Sequence, residues 1–217
     1  MNEEVSVRLV DKPAGITSCG VVARVRRRLS EKLGKKAKVG HTGTLDPFAT
    51  GLMIIVTGKE CRNAMNYSKL DKEYEATFRL GQTSSTGDPE GELTDVSTTQ
   101  PSKEAVEAAL EQYRGEITQR PPIFSAIKIN GRRAYDLARK GEVVEMPERQ
   151  VTIYSLELLD YTYPEVKIRV HVSSGTYIRS LVEDIGKVLE TGAYCSELRR
   201  TKVGEWSVEG ATPIAIN

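Results

Sequence analysis

Residues 39–51 read VGHTGTLDPFATG, a stretch with three glycines, three threonines, one histidine and a single carboxylate, Asp46. So few bulky side chains can add little to a hydrophobic core, and we expect a loop that leads into a buried strand over the apolar run 52–56. Asp46 precedes Pro47, and an Asp-Pro pair commonly starts a turn in which the aspartate accepts backbone hydrogen bonds. A structural role therefore explains Asp46 by itself, and a chemical role requires partners from elsewhere in the chain.

The composition is that of an ordinary globular protein, with 217 residues of which 39% are hydrophobic and 28% are charged. No apolar run approaches the length of a membrane span, and acids near the N-terminus are atypical of a secretory signal, so we expect a cytoplasmic protein without a membrane contact. Cys19, Cys61 and Cys195 are odd in number and widely spaced, which is typical of reduced thiols. With two histidines and no C-x-x-C motif, we expect no metal site.

The net charge of +1 hides an uneven distribution of charged residues. Basic residues concentrate in 24–38, whereas acidic residues concentrate in 88–95 and 104–116. A nearly neutral protein can bind a polyanion through one basic face, although a solvated helix face explains any single cluster equally well. Further basic residues are Arg132, Arg133, Arg139, Lys140, Arg199, Arg200 and Lys202.

Hydrophobic periodicity predicts strands and helices in irregular order, which is typical of a single α+β domain. The helix over 18–33 should have Ser18 as its N-cap and end at Gly34. Residues 81–101 are the most loop-like stretch. The other expected elements are strands over 7–10, 73–80, 151–160, 165–173 and 202–208, and helices over 60–68, after Ser102, near 134–140 and over 178–189.

Two further segments bear on Asp46. The run Gly175-Thr176-Tyr177-Ile178-Arg179 places an arginine at the start of a helix, and an arginine near Asp46 would keep its carboxylate ionised and oriented. Tyr74 opens a strand on its apolar face. An ordinary surface arginine and a core-packing tyrosine are the alternatives. Neither a phosphate-binding P-loop nor a serine nucleophile elbow is present in the sequence.

The chain resembles the TruB family of tRNA pseudouridine synthases over about residues 7–208. The resemblance rests on a specific G-H-T-G-T-L-D-P signature and on blocks that follow one another in the family's order. These blocks are DKPAGITS (11–18), VGHTGTLDPFATG (39–51), DKEYEA (71–76), RPPIFSAIKINGRRAY (120–135), SGTYIRSL (174–181) and LRRTKVG (198–204).

The resemblance implies an α+β, pseudouridine-synthase-like catalytic domain with a mixed, mainly antiparallel sheet flanked by helices. It also implies isomerisation of the T-loop uridine at tRNA position 55, after base flipping. Asp46 matches the catalytic aspartate, Tyr74 the tyrosine that stacks on the target base, and Arg179 the arginine that pairs with the aspartate. The substrate-binding residues implied in the same way are His41, Arg62, Tyr177 and Leu198. We also expect the basic helix, with Arg132 and Arg133, to hold the phosphates of the RNA.

The resemblance implies a reaction without a cofactor, with the tRNA T-arm as partner and no obligate protein partner, and we expect a monomer. Residues 119–148 correspond to an insertion that grips the T-arm in relatives, while Lys12 and Pro13 match a first motif of mainly structural role. We expect one catalytic domain over 1–217, without the C-terminal RNA-binding domain that is usual in the family.

Three alternatives remain at this point. The chain could isomerise a uridine in another RNA, or it could fold tRNA as a chaperone without turnover. A base-releasing glycosidase is a third alternative, but it normally needs a second catalytic carboxylate or an activated water. The sequence also leaves open whether Asp46 adds to the ribose or removes a ribose proton.

Overall fold

A computed structural model of the chain describes residues 6–214. The chain divides into two compact units. Unit 1 contains the described residues up to Tyr74 and those from Leu198 onward, and unit 2 runs from Glu75 to Glu197. Each unit is described by itself below.

The described residues form strands and helices in the irregular order that the sequence predicts. The strands within residues 6–214 are β1 (Val7–Lys12), β2 (Val39–His41), β3 (Thr50–Thr57), β4 (Lys72–Leu80), β5 (Gln82–Ser84), β6 (Leu93–Asp95), β7 (Gly115–Gln119), β8 (Lys128–Ile129), β9 (Arg132–Arg133), β10 (Arg149–Thr162), β11 (Glu165–Val172), β12 (Ala193–Val203), β13 (Trp206–Ser207) and β14 (Thr212–Pro213). The helices of the same range are α1 (Ser18–Leu33), α2 (Ala64–Ser68), α3 (Lys103–Glu111), α4 (Ala134–Ala138) and α5 (Ile178–Val188), together with two 3₁₀ helices at Gly58–Asn63 and Val208–Gly210.

In unit 1 the strand order is β14-β1-β3-β12, with β2 also paired to β3 and β13 to β12. The β1–β3 pair is antiparallel, whereas β1–β14 and β3–β12 are parallel, so the sheet is mixed. Every residue of β3 after Thr50 is buried, as expected for a strand without polar alternation at the centre of a sheet. The predicted buried strand over 52–56 is thus confirmed, with three further residues at its ends.

Helix α1 has the predicted range 18–33 but a different N-cap. The Thr17 side chain accepts a hydrogen bond from the Gly20 N–H at 3.0 Å, which makes Thr17 the cap. The prediction of Ser18 as cap is wrong because its hydroxyl is buried and bonds to the backbone of Leu45 instead. Gly34 ends the helix in the left-handed conformation, as predicted.

In unit 2 the strand order is β4-β11-β10-β7, and both β10–β11 and β10–β7 are antiparallel. Strand β11 alternates cleanly, with Val166, Ile168, Val170 and Val172 buried. Helix α5 buries Leu181, Val182 and Ile185, which recur at helical spacing.

The prediction of an α+β fold with a mixed, mainly antiparallel sheet is confirmed. The predicted last strand over 202–208 is wrong at its start, because β12 begins at Ala193. Charged residues interrupt the apolar pattern of β12, and the side chains of Arg199 and Arg200 are held by Asp11 and by backbone carbonyls. None of the helices within residues 6–214 combines the length and the hydropathy that a membrane crossing requires.

Gly51 is the second residue of β3, directly after the loop 42–49 has entered the strand, and only glycine fits there. Its φ is +105°, a backbone conformation that side chains with a Cβ rarely adopt. Gly51 also pairs with Arg200 of β12, so an added Cβ would lie 2.7 Å from the Arg200 nitrogen and closer still to its carbonyl oxygen. The close approach of the β3 and β12 backbones therefore requires glycine at position 51.

We predict that Gly51→Ala lowers the free energy of unfolding by at least about 2 kcal/mol, since a strained φ alone costs about 1–3 kcal/mol and the backbone clash adds to it. Urea unfolding measures the change. Gly40→Ala is the matched control, because a Cβ at Gly40 would meet only the Val56 side chain at 3.8 Å. Equal stability of the two variants would contradict the explanation.

Candidate active site

Asp46 begins a tight turn between β2 and β3. The Ala49 N–H donates to the Asp46 carbonyl at 3.2 Å, and Pro47 occupies the second position, where its fixed φ favours the turn. The Pro47 carbonyl accepts a hydrogen bond from the Gly15 N–H at 2.8 Å. The half-buried Asp46 side chain is therefore carried on a turn whose backbone is tied to the segment 11–18.

Lys12 strengthens this tie from inside the protein. Its side chain is fully buried, and its Nζ donates to the carbonyls of Pro13, Ile16 and Pro47 at 2.9, 2.8 and 3.1 Å. A buried charge is costly unless polar groups compensate it, and three carbonyl oxygens match the three N–H donors of an ammonium group. Lys12 thus holds the end of β1 to the Asp46 turn, which accounts for the structural role that the resemblance implies.

Tyr74 lies near the start of β4 and is buried, with 8% of its surface exposed. Lys72, two residues earlier, is also buried and shares its face of the strand. Its Nζ donates to the Ser68 carbonyl at 2.6 Å and to the Leu70 carbonyl. Burial, and next the positive charge of Arg200, lowers the pKa of Lys72 to about 8, while Asp71 acts in the opposite direction.

Arg179 lies in the first turn of α5 with only 3% of its surface exposed. Its Nη1 donates to the Thr86 carbonyl at 2.7 Å and to Asp88 Oδ2 at 3.0 Å, and its Nη2 donates to the Phe124 carbonyl at 2.8 Å. These bonds fix the plane of the guanidinium within unit 2. The sequence predicts Asp46 as the carboxylate partner of Arg179, and that pairing stays a prediction.

Asp88 is a site residue that reasoning from the sequence missed. It is 3% exposed, and its Oδ1 accepts hydrogen bonds from Thr86 Oγ1 at 2.6 Å and from the Glu90 N–H at 3.0 Å. The segment 81–101 reads as a loop, and an aspartate before proline there is an ordinary turn residue. The one available signal was the hydroxyl-rich TSSTGD run, which offers side-chain donors to an aspartate.

Glu183 follows Arg179 by one turn of α5 and is half-buried. Burial raises the pKa of its carboxyl group, while the nearby cations Lys187 and Arg179 partly oppose the shift. The carboxyl group lies against Gly87, and a side chain at that position would take the space that Glu183 occupies. The φ of Gly87 is +74°, which also favours glycine.

Tyr177 precedes α5 and its backbone is held by Gln119. The Tyr177 N–H donates to Gln119 Oε1 at 2.8 Å, and Gln119 Nε2 donates to the Tyr177 carbonyl at 3.0 Å. The Arg149 guanidinium lies 5.8 Å from the centre of the Tyr177 ring, within the range of a cation–π contact. Tyr177 and Arg179 are therefore presented by one helix start.

Arg132 and Arg133 form β9, which pairs with β8 in a small hairpin. Basic residues surround a groove of about 650 Å³ next to this hairpin. Arg132 forms a two-pronged ion pair with Glu142, with bonds of 2.8 and 3.1 Å that lower the pKa of the Glu142 carboxyl group. Arg133 donates to the Tyr135 hydroxyl at 2.6 Å. The residues that line the groove are Lys128, Gly131, Arg132, Arg133, Asp136, Arg139 and Lys140.

The remaining predicted residues lie in unit 1. His41 ends β2 and pairs with Ile55 of β3, so it shares the β2–β3 connection with Asp46. Leu198 is buried in β12, and Thr50 Oγ1 donates to its carbonyl at 3.5 Å. Arg62 is exposed on the 3₁₀ helix that follows β3. Within residues 6–214, no three His, Cys, Asp or Glu side chains are grouped as ligands for a metal ion.

Comparison with known proteins matches the chain to two parts of one family. The family described as "TruB family pseudouridylate synthase (N terminal domain)" matches residues 27–178, which is more than half of the chain. The chain belongs to the TruB family. The part described as "tRNA pseudouridylate synthase B C-terminal domain" matches residues 179–213. The predicted single catalytic domain over 1–217 stays a prediction.

TruB relatives from several bacteria are similar along nearly the whole chain. Identity to tRNA pseudouridine synthase B of Phocaeicola vulgatus is 48% over 209 residues, which cover 95% of this chain and 89% of that protein. The protein of the same name from Burkholderia lata is 47% identical over 208 residues, which cover 96% of this chain but 63% of the relative. The chain thus spans most of the first relative and less than two thirds of the second.

Solved structures support the TruB fold. A Cbf5-Nop10-Gar1 complex contains a chain that matches with a TM-score of 0.73 and 30% identity, over 98% of this chain and 53% of that one. A chain of an H/ACA RNP bound to a substrate RNA containing 2′-deoxyuridine matches with a TM-score of 0.69 and 29% identity. The match covers 95% of this chain and 50% of that one.

We predict that Asp88→Asn lowers the free energy of unfolding by about 3–5 kcal/mol, because it removes the negative charge that the buried Arg179 Nη1 contacts at 3.0 Å. Chemical denaturation followed by circular dichroism measures the loss. Asp95→Asn is the control. Asp95 is exposed, and its carboxylate accepts a hydrogen bond from the Gln82 side chain at 2.7 Å. A loss below about 1 kcal/mol in Asp88→Asn would contradict the assigned role.

A second prediction concerns the pH dependence of stability. Because the pKa of Lys72 falls from 10.5 to about 8 on folding, the unfolded chain binds more protons between these pH values, and stability rises with pH there. Below pH 8 the side chain is charged in both states and contributes no slope. In Lys72→Met this contribution disappears, so the stability of the parent relative to the variant should increase from pH 8 to 10.5.

Urea unfolding at several pH values measures this difference. Lys69→Met removes an exposed ammonium group close to the same turn and is the control, which should keep the parent's rise. A pH-independent difference between the parent and Lys72→Met would contradict the assignment of the rise to Lys72.

Proposed function

We propose that this chain is a tRNA pseudouridine synthase that isomerises the T-loop uridine at position 55. The observation that carries the proposal is the presentation of Asp46 on a turn held by buried side chains, in a chain that belongs to the TruB family. The names of its bacterial relatives support tRNA as the substrate.

The chemistry fits a site built around one carboxylate. Isomerisation breaks the bond between N1 of uracil and C1′ of ribose, forms a bond from C5 to C1′, moves a proton off C5 and leaves one on N1. The reaction has no net oxidation or hydrolysis, so we propose that it proceeds without a cofactor. Asp46 either adds to the ribose or removes a ribose proton, and it is regenerated at the end of either route.

Arg179 is proposed to hold the Asp46 carboxylate ionised, by opposite charge and forked hydrogen bonding. Support comes from the fixed plane of its guanidinium, which Asp88 and two carbonyls hold in place. A donor that is already oriented loses little further freedom when its anionic partner binds.

Tyr74 is proposed to stack on the extruded uracil. A uridine must be flipped out of a folded loop at a cost of a few kcal/mol. Stacking of a base on an aromatic side chain is worth about 1–3 kcal/mol and can offset much of that cost. His41, Tyr177, Leu198 and Arg62 are proposed to complete the pocket and its rim.

The insertion 119–148 is proposed to hold the T-arm through its basic groove. Phosphate contacts fix the register of the RNA rather than read its sequence. Arg133 and the neighbouring Arg139 flank the Tyr135 ring at 5.7 and 5.5 Å, and Arg132 would have to exchange Glu142 for a phosphate. We further propose that the chain acts in the cytoplasm as a monomer without an obligate protein partner.

We predict that Asp46→Asn lowers the single-turnover rate at least about a thousandfold, or roughly 4 kcal/mol of barrier, while T-arm RNA binds almost as before. Mass-neutral pseudouridine mapping after incubation measures the rate, and filter binding measures affinity. The matched control is Asp95→Asn, which should keep the parent's rate. Comparable rates for Asp46→Asn and the parent would refute the proposal.

Parallel reactions separate the alternative functions. An isolated T-arm stem-loop should be modified, whereas conversion of other RNAs alone would favour a synthase for another substrate. Tight binding of tRNA with no conversion by the parent would favour a chaperone. Turnover that a chelator abolishes would contradict the cofactor-free reaction.

A further inference from the structure

Ser18 holds the peptide group that precedes Asp46. It is 3% exposed, and its Oγ accepts from the Leu45 N–H at 2.8 Å and donates to the Leu45 carbonyl at 2.9 Å. One hydroxyl has the single donor and the acceptor capacity that both bonds require. The Leu45 carbonyl belongs to the planar peptide bond that ends at the Asp46 nitrogen, so fixing this oxygen also fixes the plane from which the Asp46 side chain departs.

Arg200 lies in β12, the neighbour of β3, and holds the same loop. It is 2% exposed, its Nη2 donates to the Gly43 carbonyl at 3.1 Å, and its Nη1 donates to the Thr44 carbonyl at 3.3 Å. Its Nε donates to the Leu52 carbonyl at 2.7 Å. The acceptors lie on both sides of Asp46 in the sequence. The guanidinium contacts all three at once because its donors are spread over three nitrogens in a rigid plane.

We propose that Ser18 and Arg200 are positioning residues, which set the orientation of the Asp46 carboxylate through the backbone of residues 43–45. This inference rests on the proposed function, because it assigns the consequence of the two contacts to a reaction at Asp46. Neither side chain is required to touch the RNA. A catalytic group displaced by about 1 Å can lose about a hundredfold in rate, so a loosened peptide plane should reduce the rate more than the affinity.

Thr57 supplies a matched control for Ser18. It is fully buried, and its Oγ1 accepts from the Ser6 N–H and donates to the Ser6 carbonyl, both at 3.2 Å. These two bonds resemble those of Ser18, and they lie at the far end of β3 from the Asp46 turn. Thr57 Oγ1 also lies 3.1 Å from the Ser6 hydroxyl, and the Thr57 N–H donates to the Ser6 carbonyl at 3.0 Å. Thr57→Val therefore removes comparable hydroxyl bonds to the backbone without touching the loop.

The test compares Ser18→Ala, Thr57→Val and the parent in single-turnover reactions with T-arm RNA, at a temperature at which thermal unfolding shows all three to be folded. We expect Ser18→Ala to lower the rate constant about tenfold to a hundredfold, with a dissociation constant for RNA within about twofold of the parent's. Thr57→Val should lose stability and keep the parent's rate constant.

Arg200→Lys adds a second readout. It keeps the positive charge but replaces a fork of three bonds by a single ammonium group, so we expect a reduced rate constant and unchanged affinity in the folded fraction. If Arg200→Lys does not fold, the comparison of Ser18→Ala with Thr57→Val still decides the matter.

The outcomes separate this inference from the proposed function. An active Asp46→Asn would overturn the proposed function. An inactive Asp46→Asn together with a fully active Ser18→Ala would overturn only the positioning role. Equal rate losses in Ser18→Ala and Thr57→Val would also overturn it, because the effect would then follow general destabilisation.

Discussion

The capture of backbone carbonyls by buried cations is the interaction on which the arrangement around Asp46 depends. Lys12 lies at the end of β1 and Arg200 lies in β12, and these two strands flank β3 on either side. Each cation reaches across to the loop that enters β3. The strand order of unit 1 therefore brings two charges from opposite ends of the chain to one short loop.

Unit 2 uses the same principle around Arg179. Two of its partners are carbonyl oxygens, from Thr86 and Phe124, and the third is the carboxylate of Asp88. The two carbonyl oxygens compensate the buried cation, and the Asp88 carboxylate also offsets much of its charge, so these contacts mainly fix the orientation of the guanidinium. For the proposed reaction, each unit fixes its own reactive group before RNA arrives.

Much of the framework could be predicted from periodicity, and little of the polar interior could. Helical spacing of apolar residues predicts α1, and a continuous apolar run predicts β3. The buried positions of Ser18, Asp88 and Arg200 could not be predicted in this way. Each forms a hydrogen bond with a residue that is 27 to 157 positions away in the sequence, and Asp88 forms local bonds as well. A polar residue in sequence is presumed to face water, and only the fold reveals that these three do not.

The interior cations also change what the net charge means for encounters with RNA. The charged residues that are buried within 6–214 are Lys12, Lys72, Asp88, Arg179 and Arg200, four positive and one negative. These five charges sum to +3, so the other charges of the chain sum to −2 against the formal total of +1. Because a buried charge still contributes to the field at a distance, the total of +1 decides long-range attraction, and so small a total attracts a nucleic acid only weakly. Local clusters of basic residues must then guide the RNA to the protein. Added salt should weaken RNA binding because it screens these clusters, and not because it screens the net charge of the protein.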